Sequence, residues 1–283
     1  MRIFPALLLS LASLCAGIAA GNFAALAEPS VPNYWDEKAR QPRPDISAFE
    51  RIRFLTTIDF PPFSFLDDAG RLTGFNAELA RAICRELDII PRCQIQGLPW
   101  DELDEAMANG QGEALIAGTS VSAQTRETYA FTRPYLRFPA RFVVARNGRL
   151  TEPLHHSLTG IRVGVVAGSA HEAMLRRYFS NARPVTYARL EWLYRDLREN
   201  KLDAAFGDGM RLSFWLAGTD SLACCTFAGG PYFAPEFLGD GLAIAVRHKD
   251  GALADAFDHA LREIAVKGIY AELYLKYFPV SFY

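Results

Sequence analysis

Ile161-Arg162-Val163-Gly164-Val165-Val166-Ala167-Gly168-Ser169 reads as a buried strand that ends in Gly-Ser and opens a helix running to Phe179. The alternation repeats downstream: a strand at Val185–Tyr187, a helix from Leu190 to Glu199, a strand from Asp203 to Phe206, and Asp208 opening a further helix. Upstream it is already present. Arg51–Thr57 is a strand, and Phe75–Leu87 is a helix with Phe75, Leu79, Ile83 and Leu87 on one face. A strand near 92–96, a helix from Trp100 to Ala108, a strand from Glu113 to Ala117 and a short helix capped by Ser122 follow, with Arg141–Ala145 beginning the second set. This is the grammar of an α/β protein. Two similar units of roughly 90 to 100 residues predict two lobes, and the tail from Gly251 to Phe278 reads as helical.

Composition narrows the function. The 283 residues carry 30 Lys+Arg against 32 Asp+Glu and are 22% charged, without the basic excess that a phosphate-binding surface needs, so nucleic acid is not an expected partner. With 50% hydrophobic residues the chain packs a core and is not disordered. Met1-Arg2, an uncharged run from Ile3 and Ala25-Leu26-Ala27 give the three regions of a secretory signal, so 1–27 is expected to be removed, leaving a net charge of −3. No other run is long and apolar enough to cross a membrane. Residues 28–50 contain Pro29, Pro32, Pro42 and Pro44 and are expected to form an extended arm, packed across one lobe through Tyr34 and Trp35 or left as a tether.

Export favours oxidised thiols. Cys84 ends a predicted helix and Cys93 starts the next strand, so a bridge between them would staple that turn. Vicinal Cys224-Cys225 reads first as two small buried residues, with a strained ring or a reduced pair as alternatives. A metal site is not expected, since there is no CxxC pair and the five histidines are scattered; His155-His156 reads as solvated loop. No GxGxxG, GxxxxGK[ST], GxSxG or HExxH occurs, and no cofactor is implied. Asp101, Glu102, Asp104 and Glu105 read as a charged helix face.

Chemistry is therefore sought at the strand-to-helix junctions, where open α/β sheets gather ligands. The first is Thr57-Ile58-Asp59-Phe60-Pro61-Pro62-Phe63, two aromatic rings on a proline-stiffened loop, which also serves as an ordinary rigid turn. At the second, Ala117-Gly118-Thr119-Ser120-Val121-Ser122, glycine lets the backbone approach a ligand, and Arg126 can clamp a carboxylate or simply be solvated. At the third, Gly168-Ser169 opens a helix whose free amides attract an anion. Asp208 is either a partner for a ligand cation or an N-cap.

Taken in order, Phe60-Pro61-Pro62-Phe63-Ser64-Phe65, Leu72-Thr73-Gly74-Phe75-Asn76, Pro99-Trp100, Ala117-Gly118-Thr119-Ser120, Phe131-Thr132-Arg133-Pro134-Tyr135, Val163 to Ser169, Asp203 to Asp208 and Gly239 to Arg247 resemble the family 3 periplasmic solute-binding proteins of polar amino acid ABC transporters. The resemblance spans 51–283 and implies the two-lobed type II periplasmic-binding-protein fold, with crossover strands near 137–140 and 235–240. Lobe 1 would comprise 51–138 and 239–283, and lobe 2 would comprise 139–238. A small amino-acid-like solute would be enclosed by hinge closure and passed to an inner-membrane ABC permease by a monomeric, non-catalytic periplasmic receptor. Residue by residue, Phe60 and Trp100 would be apolar walls, Ser120 a polar contact, Gly118 a backbone contact, Ser169 the α-carboxylate ligand and Asp208 the α-ammonium ligand. Cys84 and Cys93 resemble a disulfide of some basic amino acid binders in the family.

Two departures stand out. Laid on the family pattern, the carboxylate-clamping Arg becomes Thr125, and Arg126 follows one residue later, a rotation of roughly 100° on a helix. Either the backbone adjusts to bring Arg126 into the cleft, or Ser169 and backbone hold the carboxylate, or the ligand is not a standard amino acid. The acid that binders of Lys, Arg or His often carry at the first junction is Thr57, which disfavours a basic ligand, although alternation puts Asp59 on the same face. Two other functions fit the same scaffold: a cyclohexadienyl or arogenate dehydratase, recognised by turnover of prephenate or arogenate, and a ligand-sensing partner of a membrane receptor.

Overall fold

A computed structural model describes residues 30–36, 38, 43–148, 150 and 154–283; the expected signal 1–27 lies outside them. The chain first lays down β1 (Ile52–Thr57), β2 (Asp59–Phe60), β3 (Ser64–Leu66), β4 (Leu72–Thr73), α1 (Phe75–Glu86), β5 (Cys93–Leu98), α2 (Leu103–Ala108), β6 (Ala114–Leu115), α3 (Thr125–Thr128) and β7 (Tyr129–Phe131). It continues through β8 (Ala140–Ala145), α4 (Leu154–Ser157), β9 (Arg162–Val166), α5 (Ala170–Tyr178), β10 (Arg183–Tyr187), α6 (Leu190–Arg198), β11 (Ala204–Asp208), α7 (Gly209–Ala217), β12 (Cys225–Tyr232) and α8 (Pro235–Leu238). It returns with β13 (Ala245–Arg247), α9 (Gly251–Val266) and α10 (Ile269–Tyr277).

Two five-stranded sheets result, ordered β5-β1-β6-β13-β7 and β10-β9-β11-β8-β12, with β2-β3-β4 forming a small third sheet. They share one plan. In each, three parallel strands carry the βα junctions and an antiparallel fourth strand is supplied by the crossing chain: β13 in the first, β8 in the second. The inner parallel strands β1, β6, β9 and β11 are largely buried while the outer β5 and β10 are not, which is why β1 reads as an almost unbroken apolar and threonine run. Against it pack Phe75, Leu79 and Ile83 of α1 and Phe257, Leu261 and Ile264 of α9, with Phe54 and Phe257 4.9 Å apart. A second core lies under Phe142, Phe179 and Phe206.

Some details differ from expectation. The second connection between sheets, expected as a strand over 235–240, is instead the helical turn α8, because Pro235 at its first position is pre-set to helical φ. The tail is two helices, broken where Gly268 adopts a left-handed φ of 76°. The segment at His155-His156 forms the turn α4 rather than loop. Cys84 and Cys93 are joined, tying α1 to β5 as anticipated. Cys224 and Cys225 form a vicinal disulfide, correcting the first reading of two unlinked small residues; only Cys225 is fully buried. The arm packs on the first sheet's layer: Trp35 and Ile46 belong to its core.

Candidate functional site

In the order β5-β1-β6 the connection from β1 leaves toward β5 and that from β6 leaves the other way, so a crevice opens where β1 and β6 end. The order β10-β9-β11 repeats this for β9 and β11. Each crevice carries half of the candidate site.

In the first half, the Ile116 carbonyl at the end of β6 is fixed by a buried network. Thr56 Oγ1 donates to it at 2.7 Å and Asn76 Nδ2 at 3.2 Å, while Tyr135 holds Asn76 and Tyr270 holds the Tyr135 carbonyl. Two residues on, Gly118 has φ 91°, and the Phe60 ring lies so close over it that a Cβ would meet Cε1 at 3.0 Å. Phe60 stacks on buried Phe63 at 4.7 Å and stays 36% exposed, a rigid apolar wall open on one side. The Thr57 hydroxyl, itself buried, donates to the Asp59 carboxylate. Trp100, 53% exposed, follows the end of β5, and Ser120 bridges to Leu242 on the returning chain.

The displaced arginine is explained by the residue before it. Thr125 Oγ1 donates to the Ser120 carbonyl at 2.8 Å and accepts from Ser122 N–H at 2.9 Å, while Ser122 Oγ accepts from Thr125 N–H at 3.1 Å. Thr125 therefore staples the loop that presents Ser120; Ser122, expected to cap the helix, accepts from its first N–H, while the N-cap position itself is Gln124. Arg126, one position on, is exposed; its guanidinium sits 5.9 Å over the Phe131 ring and makes no ion pair among the described residues. Arg126 is thus left free of the loop staple, with its guanidinium over Phe131.

In the second half, Ser169 caps α5, accepting from Glu172 N–H at 3.1 Å and donating to the Val166 carbonyl at 2.7 Å. Glu172 returns to the Gly168 N–H at 2.7 Å and pairs with Arg176, and these contacts hold its carboxyl below the usual range. The first amides of α5, at Ala170 and His171, have no acceptor within the helix, the kind of place where an anion can bind. Asp208 caps α7 through Arg211 N–H at 2.8 Å and faces a cavity of about 820 Å³ shared with Ser169. That cavity also takes residues the sequence reading passed over: His171, Arg189, Trp192, Tyr194 and Arg211. Arg189 lies 5.5 Å over Trp192, and Tyr194 stacks on Trp215 at 4.5 Å. Burial keeps the His171 imidazole below its usual value against the pull of Asp208; burial, and next Asp208, push the Tyr194 phenol up to about 12. The missed signal is the junction after β10, Ala188-Arg189, which lacks glycine or a hydroxyl but follows a strand parallel to β9.

The structure thus joins Phe60 with Gly118, Thr57 with Asp59, and Ser169 with Asp208; the cavity of the second half includes no residue of the first. Among the described residues no group of three His, Cys, Asp or Glu is placed to hold a metal. One prediction concerns the first half. Gly118→Ala puts a side chain at positive φ and against Phe60, and is expected to cost about 1–2 kcal/mol of stability and to tilt the wall. Urea unfolding checks the first effect, and a ring-current shift of Phe60 the second.

Comparison with known proteins extends the picture. The family model of bacterial extracellular solute-binding proteins, family 3, matches residues 52–280. A protein of Escherichia coli ascribed to an ABC transporter as arginine-binding protein 2 is 30% identical over 232 residues, 82% of this chain and 92% of its own. The lysine/arginine/ornithine-binding periplasmic protein of E. coli is 28% identical over 236 residues, 83% of this chain and 90% of its own. The L-cystine solute receptor of Neisseria gonorrhoeae, solved in an unliganded open conformation, superposes with a TM-score of 0.67 at 19% identity, covering 82% of this chain and 94% of that one, a likeness of fold. The α/β chain with its two similarly wound sheets is a member of the family 3 bacterial extracellular solute-binding proteins.

Proposed function

We propose that this protein is a periplasmic receptor for an α-amino acid, exported by its 1–27 signal and handing its ligand to an inner-membrane ABC permease. The observation that carries the reading is the pairing of two half-sites at the carboxyl ends of parallel strands, one apolar and one polar. Hinge closure between lobe 1 (51–138 and 239–283) and lobe 2 (139–238) brings Phe60, Trp100, Gly118 and Ser120 over a ligand whose ammonium lies at Asp208 and whose carboxylate lies at Ser169 and the α5 amides. Both charges of a zwitterion then have partners, which a closed cleft requires, because an unpaired buried charge costs several kcal/mol. In this reading Arg126, seated over the Phe131 ring, is not required for either charge of the ligand.

The side-chain end is read from Thr57 and Asp59. The bond between them keeps a carboxylate beside the place where binders of basic amino acids often have their acid, so a cationic side chain is matched after all. The names of the two E. coli relatives, arginine and lysine/arginine/ornithine, agree with that choice. The receptor acts by binding and as a monomer, without turnover.

The test is the melting temperature of the chain from Glu28, stripped by unfolding and refolding, against arginine, lysine, ornithine, histidine, glutamine, glutamate and prephenate. A ligand at 100 times its dissociation constant adds about 2.7 kcal/mol, a rise of several degrees. A rise with a cationic amino acid is expected, with prephenate recovered unchanged. Silence across every amino acid, or conversion of prephenate, overturns the proposal.

A further inference from the structure

The family match covers 52–280, so the arm and the last residues lie outside it. These two ends meet. Ser281 Oγ donates to the Ser30 carbonyl, and the rings of Tyr34 and Tyr283 lie edge to face at 6.1 Å with their hydroxyls in contact. The meeting point is Arg137, on the first connection between the sheets. Its N–H donates to Tyr34 Oη at 3.0 Å and to Tyr283 Oη at 3.1 Å, its carbonyl accepts from Tyr283 Oη, and its guanidinium covers the Tyr34 ring at 5.8 Å.

The second connection is bound into the same cluster. Leu136 bridges to Leu242, and the Tyr283 ring lies 6.0 Å from Phe233, just before α8. Beyond the connections the tail touches the second sheet's layer, with Phe278 6.3 Å from Phe214 and Phe282 Cβ 3.3 Å from where a Cβ of Gly209 would stand. A hinge works by changing the φ and ψ of a few connecting residues. Here both hydrogen-bonding groups of one such residue are held by side chains from the arm and the tail, in the arrangement where no residue of the first half-site lines the cavity of the second.

We infer that Tyr34 and Tyr283 are positioning residues of the hinge, forming a strap that holds the lobes apart and thereby weakens ligand binding. The inference rests on the closure reading above. When a binding-competent state is fractionally populated, apparent affinity falls by that fraction, so loosening the strap raises it.

The experiment uses the mature chain with Tyr34→Phe and Tyr283→Phe together, which keeps both rings and removes the hydroxyls on Arg137. Arginine binding by calorimetry is expected to tighten about fivefold, the scale of a hydrogen bond or two. Amide exchange in the unliganded variant is expected to accelerate at Arg137 and also across Phe233–Leu238, with exchange in the two sheets unchanged. A control, Tyr129→Phe, removes a hydroxyl bonded to Asp104 of α2, which touches neither Arg137 nor the two tyrosines, and is expected to leave affinity unchanged. A gain in affinity is not something structural damage produces. Unchanged or weaker binding by the double variant overturns the inference. If the parent protein binds nothing, the receptor reading fails instead, and exchange at Phe233–Leu238 still decides whether the strap couples the two connections.

Discussion

Asp208→Asn is expected to abolish ligand binding while leaving the melting temperature nearly unchanged. Asp208 does two jobs at one place: its carboxylate accepts the Arg211 N–H that starts α7, and it faces the cavity into which the α5 amides also open. Asparagine caps a helix about as well as aspartate, so the first job survives the change; alanine would lose both and cost about 1 kcal/mol in stability alone. The second job needs the charge. In a closed cleft the ligand ammonium would then be buried without a counter-ion, and removing one partner of such a pair costs about 2–5 kcal/mol, roughly a thirtyfold to several-thousandfold loss of affinity. Calorimetry with the ligand identified by thermal shift reads the loss. Binding by Asp208→Asn within threefold of the parent places the ammonium elsewhere and removes the central contact of the proposed site.

The fold was legible in the sequence because buried parallel strands and one-sided helices leave different periodicities, and here they alternate without interruption from Arg51 to Phe206. The site was legible to the extent that ligands gather where such strands end. Phe60, Gly118, Ser169 and Asp208 all sit at those ends, and the structure pairs the first with the second and the third with the fourth. What stayed hidden depends on tertiary convergence. His171, Trp192 and Arg211 occupy first turns of three different helices, with Tyr194 next along α6, and look like solvated surface until β9, β10 and β11 are laid side by side. Thr125 presents as a substitution for arginine, yet its hydroxyl is spent on Ser120 and Ser122, a local role that a one-residue displacement does not reveal. The bond between Cys224 and Cys225 was weighed as one of several states of the pair, and spacing alone does not choose between them.

Trp35→Ala is expected to destabilise the protein by about 3 kcal/mol, the low end for emptying a buried tryptophan site. The arm has too many prolines for regular structure, so whatever order it has comes from tertiary contact. Trp35 is 6% exposed, meets Tyr270 edge to face at 5.2 Å, and belongs to the core that contains Phe75 and Phe257. Its neighbours along the chain are tied down too: Ile46 is 4% exposed, Arg92 donates to the Ile46 carbonyl at 3.2 Å and to that of Phe49, and Arg43 donates to the Leu87 carbonyl. An arm acting as a tether would make none of these contacts, and the same substitution would then change stability by less than about 0.5 kcal/mol, as at an ordinary surface position. The two outcomes are well separated in a melting curve: about 3 kcal/mol corresponds to a drop of roughly 6–12 °C for a chain of this size. Trp35→Phe distinguishes packing from polar contact, since the indole N–H has no hydrogen-bond partner among the described residues, and most of the stability is expected to return with the smaller ring. A melting temperature for Trp35→Ala within 2 °C of the parent would mean that the arm leaves the lobe in solution, and the strap on Arg137 would leave with it.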